Sequence, residues 1–292
     1  MLGIAAALGS AAAWALGAVL FKRLSVTASP MALTLSKGVI SLVLLAAVLP
    51  FVAAGDLSRR ELLLLVGSGV LGIAAGDTLF FAALSCLSPH VCIVYMMLGQ
   101  VVTAVAACVF LGERHPLAVW AGLGLVMSGV YLVLRSSLEK EGEAGQTRLR
   151  GALFGLCAVL CMSASYIIAR PALDSVSTLW ATFIRLAAGT AVMALLGLVT
   201  GSVRGWLQPF RRAAGALPLV RATLVVTFGG FWLSMVAMKY AGVVVANTLG
   251  SLEPMFVLPF TWFLLRERIR GIEVVGTVTA VVGVLVVTLL NG

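Results

Sequence analysis

Charge is scarce in this chain. Of its 292 residues only 11% are charged, against 61% hydrophobic, and the mean hydropathy is +1.12. So little polar surface cannot cover a water-soluble globule, which excludes a soluble domain. Long polar segments are missing as well: the largest, 135–150 and 201–217, are turn-rich and charged, and read as connecting loops in a single membrane domain. Histidine is nearly absent. His90 and His115 fall near the ends of apolar stretches, and the sequence has no HExxH or GxSxG, so neither a metal cluster nor a nucleophile with its base is supplied. The five cysteines (Cys86, Cys92, Cys108, Cys157 and Cys161) form no CxxC pair. Cys157 and Cys161 are one helical turn apart with no His, Asp or Glu nearby, and read as small apolar filler. No enzyme activity, metal or other cofactor is expected.

What is present is a succession of apolar stretches at 2–21, 30–53, 61–84, 89–111, 116–134, 151–170, 177–200, 218–238, 242–265 and 271–290. A helix rises about 1.5 Å per residue, so about twenty apolar residues cross a hydrocarbon core of about 30 Å. The expected fold class is therefore an all-α polytopic membrane protein with ten transmembrane helices. A signal peptide at the start is the weaker reading, because Lys22 and Arg23 follow the first apolar stretch rather than precede it.

The net charge of +9 does not point to nucleic acid, since the basic residues are scattered through loops with no interleaved aromatic stripe. It bears on topology. With ten spans, the loops on the side of the N-terminus hold five Lys and Arg (Arg59, Arg60, Arg114, Arg170, Lys239), and those on the other side hold thirteen, from Lys22 and Arg23 to Arg266, Arg268 and Arg270. By the positive-inside rule the second side is cytoplasmic and both termini face outward.

The sequence also repeats. A shift of 154 brings Leu111-Gly112-Glu113-Arg114-His115 onto Leu265-Arg266-Glu267-Arg268-Ile269, Gly76 onto Gly230, Gly122 onto Gly276 and Gly129 onto Gly283. Leu98-Gly99 reaches Leu249-Gly250 after a small slip. A shift of 148 brings Gly3 onto Gly151, Lys22 onto Arg170 and Lys37 onto Arg185. Five spans thus match five spans, about 1–135 against 151–292, joined by a linker at about 136–150. Because five is odd, the second copy enters the membrane from the opposite side, which is the inverted-repeat plan of secondary transporters.

The two copies of an apolar helix, LGER or LRER, and a glycine-rich final helix, with Ser251-Leu252-Glu253-Pro254 before the second, resemble the EamA-type branch of the drug/metabolite transporter superfamily. That resemblance covers the chain end to end. It implies a ten-helix carrier of metabolites or drugs, often an exporter, in a plasma membrane (the inner membrane of a bacterium), working without ATP or prosthetic group. The first copy departs from it with Gly99-Gln100 where the second has Glu253-Pro254. The resemblance also implies cytoplasmic termini, opposite to the charge count.

Ionisable groups deep in a span usually face a cavity or a partner. Four stand out: Lys37, Asp77, Arg185 and Glu253. Lys37 and Asp77 lie at nearly equal depth from the same side, and Arg185 and Glu253 at comparable depth from the other, so two pairs are expected. Two readings stand side by side: permanent locks between helices, or a cavity lined by two cations and two anions that suits a cargo bearing both charges, or a carboxylate that displaces an internal acid. Arg185 is the better carboxylate clamp, its planar fork staying charged. Pro254 should bend the ninth span at Glu253, and Pro259 weaken it again. Glu253 and Asp77 are candidate proton carriers. Trp14, Tyr95, Gln100, Tyr166, Trp232 and Asn247 lie within spans and rank behind these as cargo contacts, since aromatics there more often pack than bind. Glu113, Arg114, Glu267 and Arg268 are expected to cap helix ends or pair at the surface. The expected function is export of amino acids or related metabolites by alternating access; uptake, or export of amphipathic drugs, is the alternative, with a channel or an accessory membrane protein as other classes.

Overall fold

Apolar runs with no polar alternation leave the backbone one way to satisfy itself in lipid, and the described residues follow it. In a computed structural model, residues 1–53, 55, 57–106, 116–139, 145–241 and 243–291 are described. They are helical throughout, apart from short connections and an isolated antiparallel bridge between Gly55 and Val176. In chain order they form α1 (Leu2–Leu24), α2 (Pro30–Val48), α3 (Arg59–Gly69), α4 (Thr78–Cys86), α5 (Pro89–Met96), α6 (Leu98–Ala106), α7 (Leu117–Leu138) and α8 (Gly145–Ala169). There follow α9 (Thr178–Val199), α10 (Val203–Leu207), α11 (Ala213–Leu224), α12 (Leu233–Ala241), α13 (Val243–Gly250), α14 (Glu253–Leu265) and α15 (Gly271–Asn291).

Among the described residues, eight continuous helical runs are long and apolar enough to cross a membrane, and α14 adds a shorter apolar helix. Their boundaries follow local chemistry. Ser29 caps α2, its hydroxyl accepting from Ala32 N at 3.3 Å with Pro30 following in the first turn, and Ser58 with Glu61 forms a reciprocal capping box at α3. Both expected loops prove partly helical: α7 runs on to Leu138 and α8 begins at Gly145, while α10 and the start of α11 occupy most of 201–217.

Two helices widen midway. Val70–Asp77 joins α3 to α4, and Val225–Trp232 joins α11 to α12, both as eight-residue π-helical segments. They match at both ends with an offset of 155, one residue from the repeat read in the sequence. The fourth and ninth apolar stretches are instead interrupted, at Met97 between α5 and α6 and at Ser251–Leu252 between α13 and α14. The expected bend at Glu253 is thus a break just before it. Glu253 and Pro254 open the first turn of α14, where proline is tolerated, and Pro259 is carried inside that helix without ending it.

Small residues set the closest contacts. A Cβ on Gly122 would come within 2.9 Å of Gly283 O, and one on Gly283 within 2.6 Å of Gly122 O; Gly129 and Gly276 face each other in the same way. α7 and α15 therefore cross antiparallel along a glycine seam. The largest apolar core among the described residues, including Phe21, Leu33, Phe81, Leu84, Val94 and Leu219, runs between α1, α2, α4, α5 and α11 and on to α7, α8 and α15 through Val130, Val159 and Val281. Large apolar side chains such as Leu117, Val199 and Phe263 point outward, as a lipid solvent requires. At the far end of α1 from the N-terminus, the Lys22 ammonium donates to Leu84 O (2.7 Å), Ser85 O (3.2 Å) and Leu87 O (2.9 Å), and Arg23 donates to Leu264 O. These cations close the carbonyl ends of α4 and α14. Glu267 accepts from the Ser88 hydroxyl in a part-buried contact rather than capping a helix or pairing with a cation at the surface; Glu113, Arg114 and His115 lie outside the described residues.

Candidate functional site

The equal depth of Lys37 and Asp77 becomes contact. Lys37 on α2 places Nζ 2.8 Å from Asp77 Oδ2, at the end of the first π segment, and 5.6 Å from the centre of the Phe81 ring. Their side chains keep only 16% and 12% of their exposure. The next residue is tied in as well: Thr78 Oγ1 donates to Thr34 Oγ1 at 3.0 Å. A carboxylate and an ammonium brought this close in low dielectric neutralise each other, so the pair carries no net charge into the bundle.

Arg185 and Glu253 are not brought together. α9 packs on α2, α3 and the first π segment, whereas α14 packs on α1, α5 and α15, so similar depth does not put the two on facing surfaces. Arg185 Nη2 donates instead to Ser165 Oγ at 2.9 Å, and its guanidinium carbon lies 5.2 Å from the centre of the Tyr166 ring. Ser165 in turn donates to Ser68 O at 2.8 Å, a contact that fastens α8 to α3. Arg185 Nε is buried with no hydrogen-bond partner among the described residues, and no carboxylate of a described side chain is within ion-pair distance of the guanidinium. Gly69 lies against the Arg185 backbone, and a Cβ on Gly72 would come 2.9 Å from Ser165 Cβ and 3.4 Å from Arg185 Nη2. Gly69 thus lets the α9 backbone approach α3, and Gly72, one turn on, accommodates the serine beside the guanidinium. Glu253 is partly buried at the start of α14.

The aromatic candidates divide by surroundings. Tyr95 is buried in the core with its ring against Gly155, where a Cβ would come 2.8 Å from Cδ1. Trp14 covers Gly230 of the second π segment, beside the hydrogen bond from Ser10 Oγ to Gly230 O at 2.6 Å. Tyr166 and Trp232 remain open, at 61% and 53% exposure. The side chains of Gln100 and Asn247 lie outside the described residues.

A further buried pair escaped the sequence reading. His90 Nε2 is 3.4 Å from Glu273 Oε2, and both side chains are fully buried. Glu273 also accepts from Arg270 N at 2.9 Å and from Ser136 Oγ at 3.4 Å, tying α5, α7 and α15 together. The available signal was a carboxylate three residues after Arg270 at a helix start, a capping spacing.

A bundle of long apolar helices that buries charged groups against one another is that of an integral, multi-pass membrane protein. Its family follows from the sequence: the EamA-like transporter family matches residues 1–135 and again 149–289. The chain belongs to that family and is a membrane transporter of the drug/metabolite transporter superfamily. No curated protein matches it. Among solved structures, one described only as "Crystal structure of protein" has a TM-score of 0.64 over 98% of this chain and 99% of its own, at 17% identity, a likeness of fold alone.

Proposed function

We propose that the chain is a secondary carrier of ten spans in two inverted five-helix halves, exporting small charged metabolites such as amino acids by alternating access. The observation that supports it most is reciprocal packing. Under the repeat shift of 154, Gly122 and Gly276 are equivalent, as are Gly129 and Gly283; the seam pairs Gly122 with Gly283 and Gly129 with Gly276, so the repeat operation returns each contact as the other. The π segments in matching positions, and the matched interruptions of the fourth and ninth stretches, agree with the same two-fold relation. Broken helices near the middle of inverted repeats are where such carriers bind cargo. Lys37, Asp77, Arg185 and Glu253, with Trp14, Tyr166 and Trp232 behind them, are the side chains we assign to that region. Glu253, an acid at a helix break, is the candidate for proton coupling. Both repeats share one membrane domain.

Proteoliposomes test the reading. They are loaded with radiolabelled amino acids, and efflux is followed with and without a pH gradient. Saturable efflux that unlabelled amino acid on the opposite side accelerates is expected; conductance without exchange marks a channel, and no flux of any solute removes the carrier reading.

A further inference from the structure

We propose that Arg185, held by Ser165 and the ring of Tyr166, is the subsite that takes the carboxylate of the cargo. The assignment rests on the carrier reading above. The two halves supply an internal comparison. The shift of 148 carries Lys37 onto Arg185, and the π-segment offset of 155 carries Asp77 onto Trp232. The second copy has therefore kept the deep cation and has no acid where the first copy holds its neutralising carboxylate. Lys37 is matched at 2.8 Å by Asp77, whereas Arg185 is met among the described residues by a hydroxyl and an aromatic face, both neutral.

A guanidinium with a buried Nε that meets only neutral groups among the described side chains is costly, and an anionic partner would offset that cost. The local chemistry selects which one. Nε and Nη2 form the side-on edge of the guanidinium fork, the edge that binds two carboxylate oxygens at once. Ser165 Oγ accepts a hydrogen bond from Nη2 and fixes the plane, while Nε, sealed from water, has no acceptor among the described residues. Gly72 packs directly on Ser165, so that a Cβ there would come 2.9 Å from Ser165 Cβ and 3.4 Å from Nη2 and would displace the serine that orients the guanidinium. Tyr166, 61% exposed and with its ring centre 5.2 Å from the guanidinium carbon, provides an aromatic surface beside the cation for the body of a carboxylate-bearing molecule. The opening and closing of a carrier is what would admit the anion to a donor that water does not reach.

The test uses purified full-length protein in detergent. Melting temperature is measured against an equimolar mixture of the proteinogenic amino acids and, separately, against their amides, in wild type, Arg185→Lys, Arg185→Met and Gly72→Ala. Amino acids are expected to stabilise wild type and the amides not. The apparent affinity should fall at least about tenfold in Arg185→Met, as loss of a charged hydrogen bond predicts, and by less in Arg185→Lys. Gly72→Ala, which keeps the charge and crowds the site, should also weaken it. Equal stabilisation of wild type and Arg185→Met, equal response to acids and amides, or no response to the acids at all would overturn the assignment. Flux in proteoliposomes separates the two readings: normal amino-acid flux through Arg185→Met retains the carrier and removes the subsite, whereas acid-specific, Arg185-dependent stabilisation with no flux retains the subsite and removes the carrier.

Discussion

Asp77→Asn tests the energetics of the buried charges most directly. At 2.8 Å the attraction between the Lys37 ammonium and the Asp77 carboxylate is ~6 kcal/mol for an effective dielectric of about 20. Desolvation of both groups cancels much of it, so the intact pair adds little net stability. Removing one partner is different, because the other stays desolvated without compensation. Such breaks cost about 3–5 kcal/mol, and the 16% and 12% residual exposure here favours the lower figure. The two halves of the pair should not be equal. With Asp77 gone, the Phe81 ring at 5.6 Å still holds the ammonium, worth roughly 1 kcal/mol, so Asp77→Asn should cost about 2 kcal/mol. Lys37→Met leaves a carboxylate with no such face and should cost about 3 kcal/mol. The double variant Lys37→Met with Asp77→Leu should return to within about 1 kcal/mol of wild type. Unfolding titrations in SDS mixed micelles read all four states. Single variants within about 0.5 kcal/mol of wild type, or a double variant no better than the worse single, would refute the reasoning. A double variant that regains stability but not transport would add cargo handling to the pair's structural role.

The glycine seam predicts a contrast on one helix: Gly129→Ala puts a Cβ 2.5 Å from Ala280 N and 2.7 Å from its Cβ and should cost about 1–3 kcal/mol, while Gly124→Ala, with nothing within 4 Å, should be neutral in the same titration. Glu273→Ala removes the acceptor of Arg270 N and Ser136 Oγ and should destabilise by roughly 3 kcal/mol, with Glu273→Gln recovering more than half of that, read by detergent melting. Sidedness follows from loop charge: a fluorescent protein fused after the C-terminus should stay dark and a periplasmic phosphatase there should be active, and cytoplasmic fluorescence would reverse the assignment.

Much of the bundle was legible because lipid imposes one scale on everything it surrounds. The ends of α1, α2, α9 and α15 fall within a few residues of the apolar limits, and the Lys37–Asp77 contact followed from depth along two neighbouring helices. Depth is only one coordinate. Arg185 and Glu253 share it approximately, yet which neighbour each faces depends on rotation about the helix and on packing order, and hydropathy carries neither. His90 and Glu273 were passed over for another reason: each lies near the end of an apolar stretch, and nothing in hydropathy shows that three helix ends converge there and exclude water. The break at Met97 is followed two residues on only by Gly99, a weak breaker, whereas the one at Ser251–Leu252 was signalled by Pro254.

The π segments have a consequence for helical phase. Each residue of an α-helix advances the side chain by about 100°, and a π turn takes one residue more than an α turn to come round. Side chains beyond Val70–Asp77 and Val225–Trp232 are therefore displaced around the axis relative to an uninterrupted α-helix drawn from α3 or α11. A helical wheel extended through either segment assigns the wrong neighbours to everything after it, Phe81 included. The same slip makes these two stretches the places where chain length and helix orientation are coupled: deletion of one residue inside Val70–Asp77 would rotate Asp77 away from Lys37 without removing either charge. A tolerance profile scanned along α3 and α4 should accordingly show two α-helical rhythms out of step, with the discontinuity between Gly69 and Thr78.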